Sequence, residues 1–220
     1  MRAANASLGS ARFDLIIFDN DGVLVDSEPH ANLVLAELLT ELGVATTYEE
    51  SVAEFLGTSL PYVRSFAERR LGAPLPEIFE RLYHDRLFER LRGRLEAVDG
   101  VASALRRIRQ PRCVASSGSR ERIEFTLREA GLWEEFRHAV FSGDDVPRGK
   151  PAPDLFLYAA SSMGVPPARC AVIEDSPLGI QAAAAAGMTS FGYAGATAKE
   201  RLAMASVLFE RMEELPFLLR

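Results

Sequence analysis

The sequence of 220 residues predicts an α/β protein, a doubly wound parallel sheet that carries an inserted all-α cap. Three observations predict it. Short apolar runs recur at 13–18, 112–115, 138–141, 170–173 and 189–193, and polar residues bound them; runs of this length read as fully buried strands. Helical periodicity follows the first four, which is the alternation of a parallel sheet with helices on both faces. Between 25 and 95 only helical patterns occur, and a helical stretch that interrupts such alternation is an inserted domain. The expected division is a core of 1–25 and 97–220 and a cap of 26–96.

Each element has a local signal. After the first strand, Ser27 is a plausible N-cap with Pro29 in the first turn. Leu35, Leu38, Leu39 and Leu42 recur at helical spacing, and Gly43 ends that helix. Further cap helices are expected over 49–56, 60–71 and 76–91; Val63, Phe66, Ala67 and Arg70 carry the period in the second of these. The core resumes with a helix over 101–108. Helices over 120–130, 154–163 and 178–186 are closed by Gly131, Gly164 and Gly187. The small side chains of Ala182 to Ala186 suit close packing on a sheet. The run 189–193 is a fifth strand, and 206–209 a short edge strand.

Composition excludes several classes. Hydrophobic content of 48% and charged content of 25% are ordinary for a soluble globular protein. The net charge of -6 argues against a general nucleic-acid binder, which needs a basic patch or stripe. Cys113 and Cys170 fall in apolar runs, without the spacing of a metal or redox motif, and read as small hydrophobes. The first dozen residues lack the apolar stretch of a signal peptide and read as a loose tail, and no run reaches transmembrane length. The expectation is a cytoplasmic monomer with no membrane or nucleic-acid partner.

The polar clusters carry the chemistry. Asp19-Asn20-Asp21-Gly22 stands directly after the first apolar run. In open parallel sheets that is where ligands bind. Two nearby carboxylates repel each other and call for a cation, a shared proton or separation by the turn. Mg²⁺, which takes oxygen ligands and keeps part of its water shell, is the natural compensator. The plainer reading, that Asp is a common turn residue, competes here. It weakens because three more clusters follow apolar runs: Ser116-Ser117-Gly118-Ser119, then Ser142-Gly143-Asp144-Asp145 with Gly149-Lys150-Pro151, then Glu174-Asp175-Ser176-Pro177. The topology collects all of them on one sheet edge. Two Asp, a hydroxyl, a Lys and an acidic pair suit metal-assisted phosphoryl transfer.

Four segments, in this order and spacing, resemble the haloacid dehalogenase-like hydrolase superfamily, in the branch of sugar-phosphate and small-metabolite phosphatases that includes β-phosphoglucomutase. They are Phe18-Asp19-Asn20-Asp21-Gly22-Val23-Leu24-Val25-Asp26-Ser27-Glu28, Val114-Ala115-Ser116-Ser117, Gly149-Lys150-Pro151-Ala152-Pro153-Asp154 and Val172-Ile173-Glu174-Asp175-Ser176-Pro177-Leu178-Gly179-Ile180. The resemblance covers nearly the whole chain from Phe13 and implies a Rossmann-like catalytic core with a helical cap.

Asp19 is the candidate nucleophile, since an Asp carboxylate can attack phosphorus and form an aspartyl-phosphate. The resemblance implies that its other oxygen binds Mg²⁺ and that the Asp21 carbonyl also reaches the metal. Asp21 is the candidate general acid and base. The dehalogenases of the superfamily lack an acid at that position, because a halide leaves without a proton. Ser116, with Ser117 in the same turn, is the candidate phosphate contact, although serines here also serve as helix caps, and Ser119 fits the cap best. Lys150 is expected to balance Asp19 and the phosphate as a compact charge. Asp175 is expected on the metal, and Glu174 there through water or as an orienter of Lys150. Gly179 stands where some members carry a further acid. Asp144 and Asp145 are either edge-positioning or merely solvated. His30, Thr58 and Ser59 are the cap candidates for substrate contact, with Arg148 beside the Lys loop as another specificity candidate.

The expected activity is Mg²⁺-dependent hydrolysis of a small phosphorylated metabolite, a sugar phosphate. Two alternatives are a phosphosugar mutase of the β-phosphoglucomutase type and a non-catalytic metabolite sensor. Against the mutase, His30 is displaced by one position, and Leu60 stands where an Arg would follow Gly57-Thr58-Ser59. A sensor should have lost part of the Asp19, Asp21, Lys150 and Asp175 set, and none is missing. Phosphonate cleavage through a cap lysine is closed, because no lysine precedes Lys150.

Overall fold

Along the first strand, β1 (Leu15–Phe18), successive side chains enter opposite faces of the sheet. Leu15 and Ile17 join one apolar cluster, Ile16 and Phe18 another, and all four are fully buried. Two-sided burial explains the unbroken apolar run, and each such side chain stabilises the fold by about 1.5–3 kcal/mol relative to exposure. The computed structural model describes residues 12–56 and 58–220; the expected tail over 1–11, and Gly57, lie outside the described residues.

The chain continues through α1 (Glu28–Glu41), α2 (Tyr48–Phe55), α3 (Leu60–Leu71), α4 (Phe79–Leu91), α5 (Val101–Arg107), β2 (Arg112–Ser116), α6 (Arg120–Glu129), α7 (Trp133–Phe136), β3 (Val140–Ser142), α8 (Asp154–Ser162), β4 (Cys170–Glu174), α9 (Pro177–Ala185), β5 (Thr189–Tyr193), β6 (Val207–Phe209) and α10 (Leu215–Leu218). The strands form one parallel sheet in the order β3-β2-β1-β4-β5-β6. The doubly wound α/β fold with a helical cap is thus the observed one. Cys113 and Cys170 are buried strand residues without a disulfide, and burial pushes both thiols up.

Helices α1 to α4 form the cap. The chain leaves the sheet after Val25 and returns at Ala97, where these two residues make an antiparallel bridge. Asp26 N–H donates to the Glu96 carbonyl and Val98 N–H to the Leu24 carbonyl, both at 3.0 Å. Leu38, Leu39, Val63, Phe79 and Leu87 build the cap interior, continuous with the sheet-face cluster that holds Ile16 and Phe18. The cap also touches the core farther out. The Phe88 and Phe125 rings lie 4.8 Å apart, and the Arg201 guanidinium donates to the Leu56 carbonyl.

Local readings are corrected at two helices, and one element is new. The helix expected over 76–91 starts at Phe79, after a turn closed by Phe79 N–H on the Pro76 carbonyl. The four-residue α7 is too short to show periodicity. Ser27 precedes α1 but makes no capping hydrogen bond; its hydroxyl is used by Asp21 instead.

Candidate active site

Connections run one way from β1 through β2 to β3 and the other way from β4 through β5 to β6. The reversal falls between β1 and β4, and their carboxyl ends open the crevice in which such sheets bind ligands. Phe18 pairs with Ile173, so Asp19 and Glu174 leave adjacent strands side by side. Gly22 is required behind them. Its φ is 75°, and a Cβ there would lie 2.0 Å from Asp175 Oδ2.

Lys150 is drawn under these carboxylates. Its Nζ donates to Asp19 Oδ1 at 2.8 Å and to Glu174 Oε1 at 2.6 Å, and it lies 4.8 Å from the Phe156 ring centroid. The Lys150 and Glu174 side chains are 5% and 0% exposed, so the pair stands or falls by its mutual charge. Glu174 Oε2 accepts from the Ser176 N–H and hydroxyl, both at 2.9 Å. A Cβ at Gly179 would lie 1.8 Å from Glu174 Oε1, so the space of a further acid is occupied by Glu174 itself.

Asp19, Glu174 and Asp175 are buried, and one oxygen of each lies within 4.8 Å of the others. Burial pushes the Asp19 carboxyl up to about 7 against the pull of Lys150, and Asp175 is raised well above its ordinary range by burial and by the charges of Glu174 and Asp19. Three buried carboxylates against one ammonium leave excess negative charge, and an all-oxygen donor set fits a hard divalent cation. Glu174 is committed to Lys150 and Ser176, whereas no side-chain hydrogen bond engages Asp19 Oδ2 or the Asp175 carboxylate among the described residues.

Asp21 is held differently. The Ser27 hydroxyl donates to Asp21 Oδ1 at 2.6 Å, and Arg122 Nη2 donates to the same oxygen at 2.9 Å. Burial alone would raise this carboxyl, but the Arg122 charge and these hydrogen bonds hold it below its ordinary value. Asn20 lies between the two acids. It is fully buried, and its Nδ2 donates to Thr126 Oγ1 at 3.0 Å, tying the end of β1 to α6.

A cavity of about 740 Å³ opens above these groups, between core and cap. Asp19, Asp21, Ser116, Ser117 and Arg122 line its core side, and Glu28, Thr58, Ser59, Tyr83 and His84 line its cap side. Ser116 is buried and Ser117 exposed; Ser119 caps α6, accepting from Arg122 N–H at 3.2 Å. Thr58 spends its hydroxyl on the Phe55 carbonyl at 2.8 Å, whereas Ser59 is exposed without a capping bond. Asp144 lines the rim, and Asp145 instead accepts from Ser142 N–H and Arg120.

Two specificity candidates fall elsewhere. His30 does not line the cavity, because on α1 Glu28 and Ala31 share the lining face at i, i+3 spacing and His30 is turned away from it. Arg148 is exposed and holds Asp154 with Nε at 3.0 Å and Nη2 at 2.9 Å, outside the cavity. Sequence reasoning missed Arg122, Tyr83 and His84. Arg122 sits one turn into α6, where a solvated charge is the ordinary reading; only its first-turn position after the serine cluster offers a signal.

The family model for haloacid dehalogenase-like hydrolases matches residues 13–187. The chain belongs to this family. It is 30% identical over 182 residues to the 6-phosphogluconate phosphatase of Escherichia coli, covering 82% of each chain. It is 33% identical over 180 residues to a fructose-1-phosphate phosphatase of the same organism, covering 80% of this chain and 94% of that one. A solved haloacid dehalogenase-like protein of unknown function from Agrobacterium tumefaciens superposes with a TM-score of 0.86 at 38% identity, covering 94% of this chain and 97% of that one. A putative β-phosphoglucomutase from Thermotoga maritima gives 0.74 at 26% identity, covering 94% and 98%. Within the family, this chain is a phosphatase, a phosphoric monoester hydrolase. No helix among the described residues is long and apolar enough to cross a membrane.

Proposed function

We propose that the chain is a Mg²⁺-dependent phosphatase of small sugar phosphates, working in the cytoplasm as a monomer through an aspartyl-phosphate on Asp19. One observation carries the reading. Lys150 fixes Asp19 Oδ1 at the switch point of the sheet, and the second oxygen carries no hydrogen bond among the described residues. Asp19 Oδ2 attacks phosphorus, and the bond from phosphorus to the leaving oxygen breaks. Asp21, ionised beside Arg122 before binding, takes up a proton from solvent as the substrate binds, gives it to that oxygen, then takes one from the water that attacks the aspartyl-phosphate and regenerates Asp19. Asp19, Asp175 and the Asp21 carbonyl would hold Mg²⁺, with Glu174 anchoring Lys150. Bound there, the ion neutralises charge on the phosphoryl oxygens. Ser116, Ser117 and Lys150 receive the phosphate, and Thr58 and Ser59 meet the leaving group under the cap of residues 26–96. The phosphorylated sugars acted on by the two Escherichia coli relatives support the substrate class.

The test is turnover of phosphorylated sugars and p-nitrophenyl phosphate. Asp19→Asn should lose more than about 10³-fold, as removal of a nucleophile does elsewhere. EDTA should abolish activity, Mg²⁺ restore it and Ca²⁺ inhibit, because Ca²⁺ takes longer bonds and more ligands. Near wild-type rates for Asp19→Asn, or full activity in EDTA, would overturn the reading.

A further inference from the structure

Arg122 does more than pair with Asp21. Its side chain is 14% exposed, yet it lines the cavity between core and cap. Its Nη2 donates to Asp21 Oδ1 at 2.9 Å, while its Nε is buried without an acceptor. Nε–H and Nη2–H form the side-on edge of the guanidinium, which binds a carboxylate with two parallel hydrogen bonds. One donor of that edge is therefore unpaired, and the other is lent to a residue required elsewhere. When Asp21 turns to the leaving oxygen, Arg122 loses its hydrogen-bonded carboxylate and keeps only the Tyr83 hydroxyl and the nearby Glu28 charge, and a buried charge that loses its ion-pair partner is costly.

The other charges point the same way. Asp19, Asp21, Glu28, Glu80 and Asp144 line the cavity, and Arg122 is the one Arg or Lys that lines it among the described residues. A negative group on the leaving alcohol would be repelled almost everywhere except beside this guanidinium. Tyr83 and His84 of cap helix α4 line the same region, and Phe88 of α4 packs on Phe125 of α6, the helix that carries Arg122. The cap helix that lines the cavity and the helix that carries Arg122 are thus in direct contact.

We propose that Arg122 reads a second anionic group on the substrate, exchanging the Asp21 carboxylate for that group and leaving Asp21 to face the leaving oxygen. This rests on the Asp21 role given under Proposed function. Before binding, Asp21 serves as the stand-in anion. A substrate with a carboxylate or second phosphate restores the ion pair, whereas a neutral one leaves Arg122 competing for Asp21. Arg122 is thereby a specificity-determining residue that touches the leaving group, opposite the phosphate end at Asp19.

The test uses matched substrates and the full-length enzyme with Mg²⁺. 6-Phosphogluconate and sorbitol 6-phosphate share an open six-carbon chain and phosphate position and differ in the carboxylate; fructose 1,6-bisphosphate and fructose 6-phosphate differ in a second phosphate. Wild type should prefer the anionic member of at least one pair by about 10–100-fold in kcat/KM, the range of charge-assisted hydrogen bonds. The pair that responds identifies the anion. Arg122→Gln should bring that preference to within about threefold, and Arg122→Lys should restore part of it as a point charge without the bidentate edge. Wild-type activity without preference in either pair, or a preference that survives Arg122→Gln, overturns the proposal. A wild type inactive on all four and on p-nitrophenyl phosphate overturns the phosphatase reading and this proposal together. Should Arg122→Gln fail to fold, inhibition of wild-type p-nitrophenyl phosphate turnover decides: gluconate should inhibit at lower concentration than sorbitol, and equal inhibition by the two refutes the role.

Discussion

The crevice has two sides that are built differently. On the core side, Asp19, Lys150, Glu174 and Asp175 stand at the ends of adjacent strands or on the loop beneath, and contacts of 2.8 and 2.6 Å join Asp19 and Glu174 through Lys150. On the cap side, Glu28, Thr58, Ser59, Tyr83 and His84 come from separate helices and loops and meet Arg122 across an open cavity. The strand-end groups are fixed by backbone register, while the groups lining the cap side depend on how core and cap sit together. Preorganised strand ends hold charge where a transferring phosphoryl group develops it.

The contrast breaks first at the acid. Asp21→Asn should slow esters with poor leaving groups by about 10²–10⁴-fold, while aryl phosphates, whose phenolate needs no proton, lose far less. Equal losses on both, in parallel kcat/KM measurements, would remove Asp21 from proton transfer.

Next is the Lys150 clamp. Lys150→Met leaves Asp19 and Glu174 buried without their cation, a change worth about 3–5 kcal/mol in a buried pair. Urea unfolding without metal reads the loss directly. Mg²⁺ should recover more stability in this variant than in wild type, since it restores positive charge to the same carboxylates. A loss under about 1 kcal/mol would mean that the carboxylates relax or take up protons freely.

On the cap side the effects are smaller and fall on choice of substrate rather than on rate. Ser59→Ala should reorder a panel of phosphorylated sugars by several-fold while changing p-nitrophenyl phosphate little. Thr58→Val adds the loss of its bond to the Phe55 carbonyl, about 1 kcal/mol of stability. An unchanged panel for both would move specificity off this loop.

The remaining effect concerns Glu28 and falls on stability alone. Burial, then the Asp21 charge, pushes its carboxyl up to about 7 from an ordinary 4.5. The folded state therefore binds this proton more tightly than the unfolded chain. Its contribution to stability is complete below the unfolded value and is lost as pH rises through the folded one. Glu28→Gln should match wild type in acid and exceed it above neutrality by about 1–2 kcal/mol, a figure reduced for the partial exposure of the group. Chemical denaturation at pH 4.5 and 8 distinguishes this from a pH-independent change.

The sequence by itself determined the sheet, the cap as an insertion, and the polar clusters that the fold gathers at one edge. Those signals are local: apolar runs set strands, glycines end helices, and the carboxylates directly follow strands whose order topology rules constrain. Helix α3 and strand β5 match their expected limits for this reason. Tertiary structure alone decided who partners whom. Ser27 looks like an N-cap in sequence, but the folded chain brings its hydroxyl to Asp21. Arg148 adjoins the Lys loop in sequence, but Asp154 captures it at the surface. Arg122 lies 101 residues from Asp21, and no period or motif joins them. Long flexible side chains reach partners that depend on the packing of whole elements. Backbone pattern therefore writes the polar sheet edge into the sequence, and the contacts that line the cavity exist only once core and cap have met.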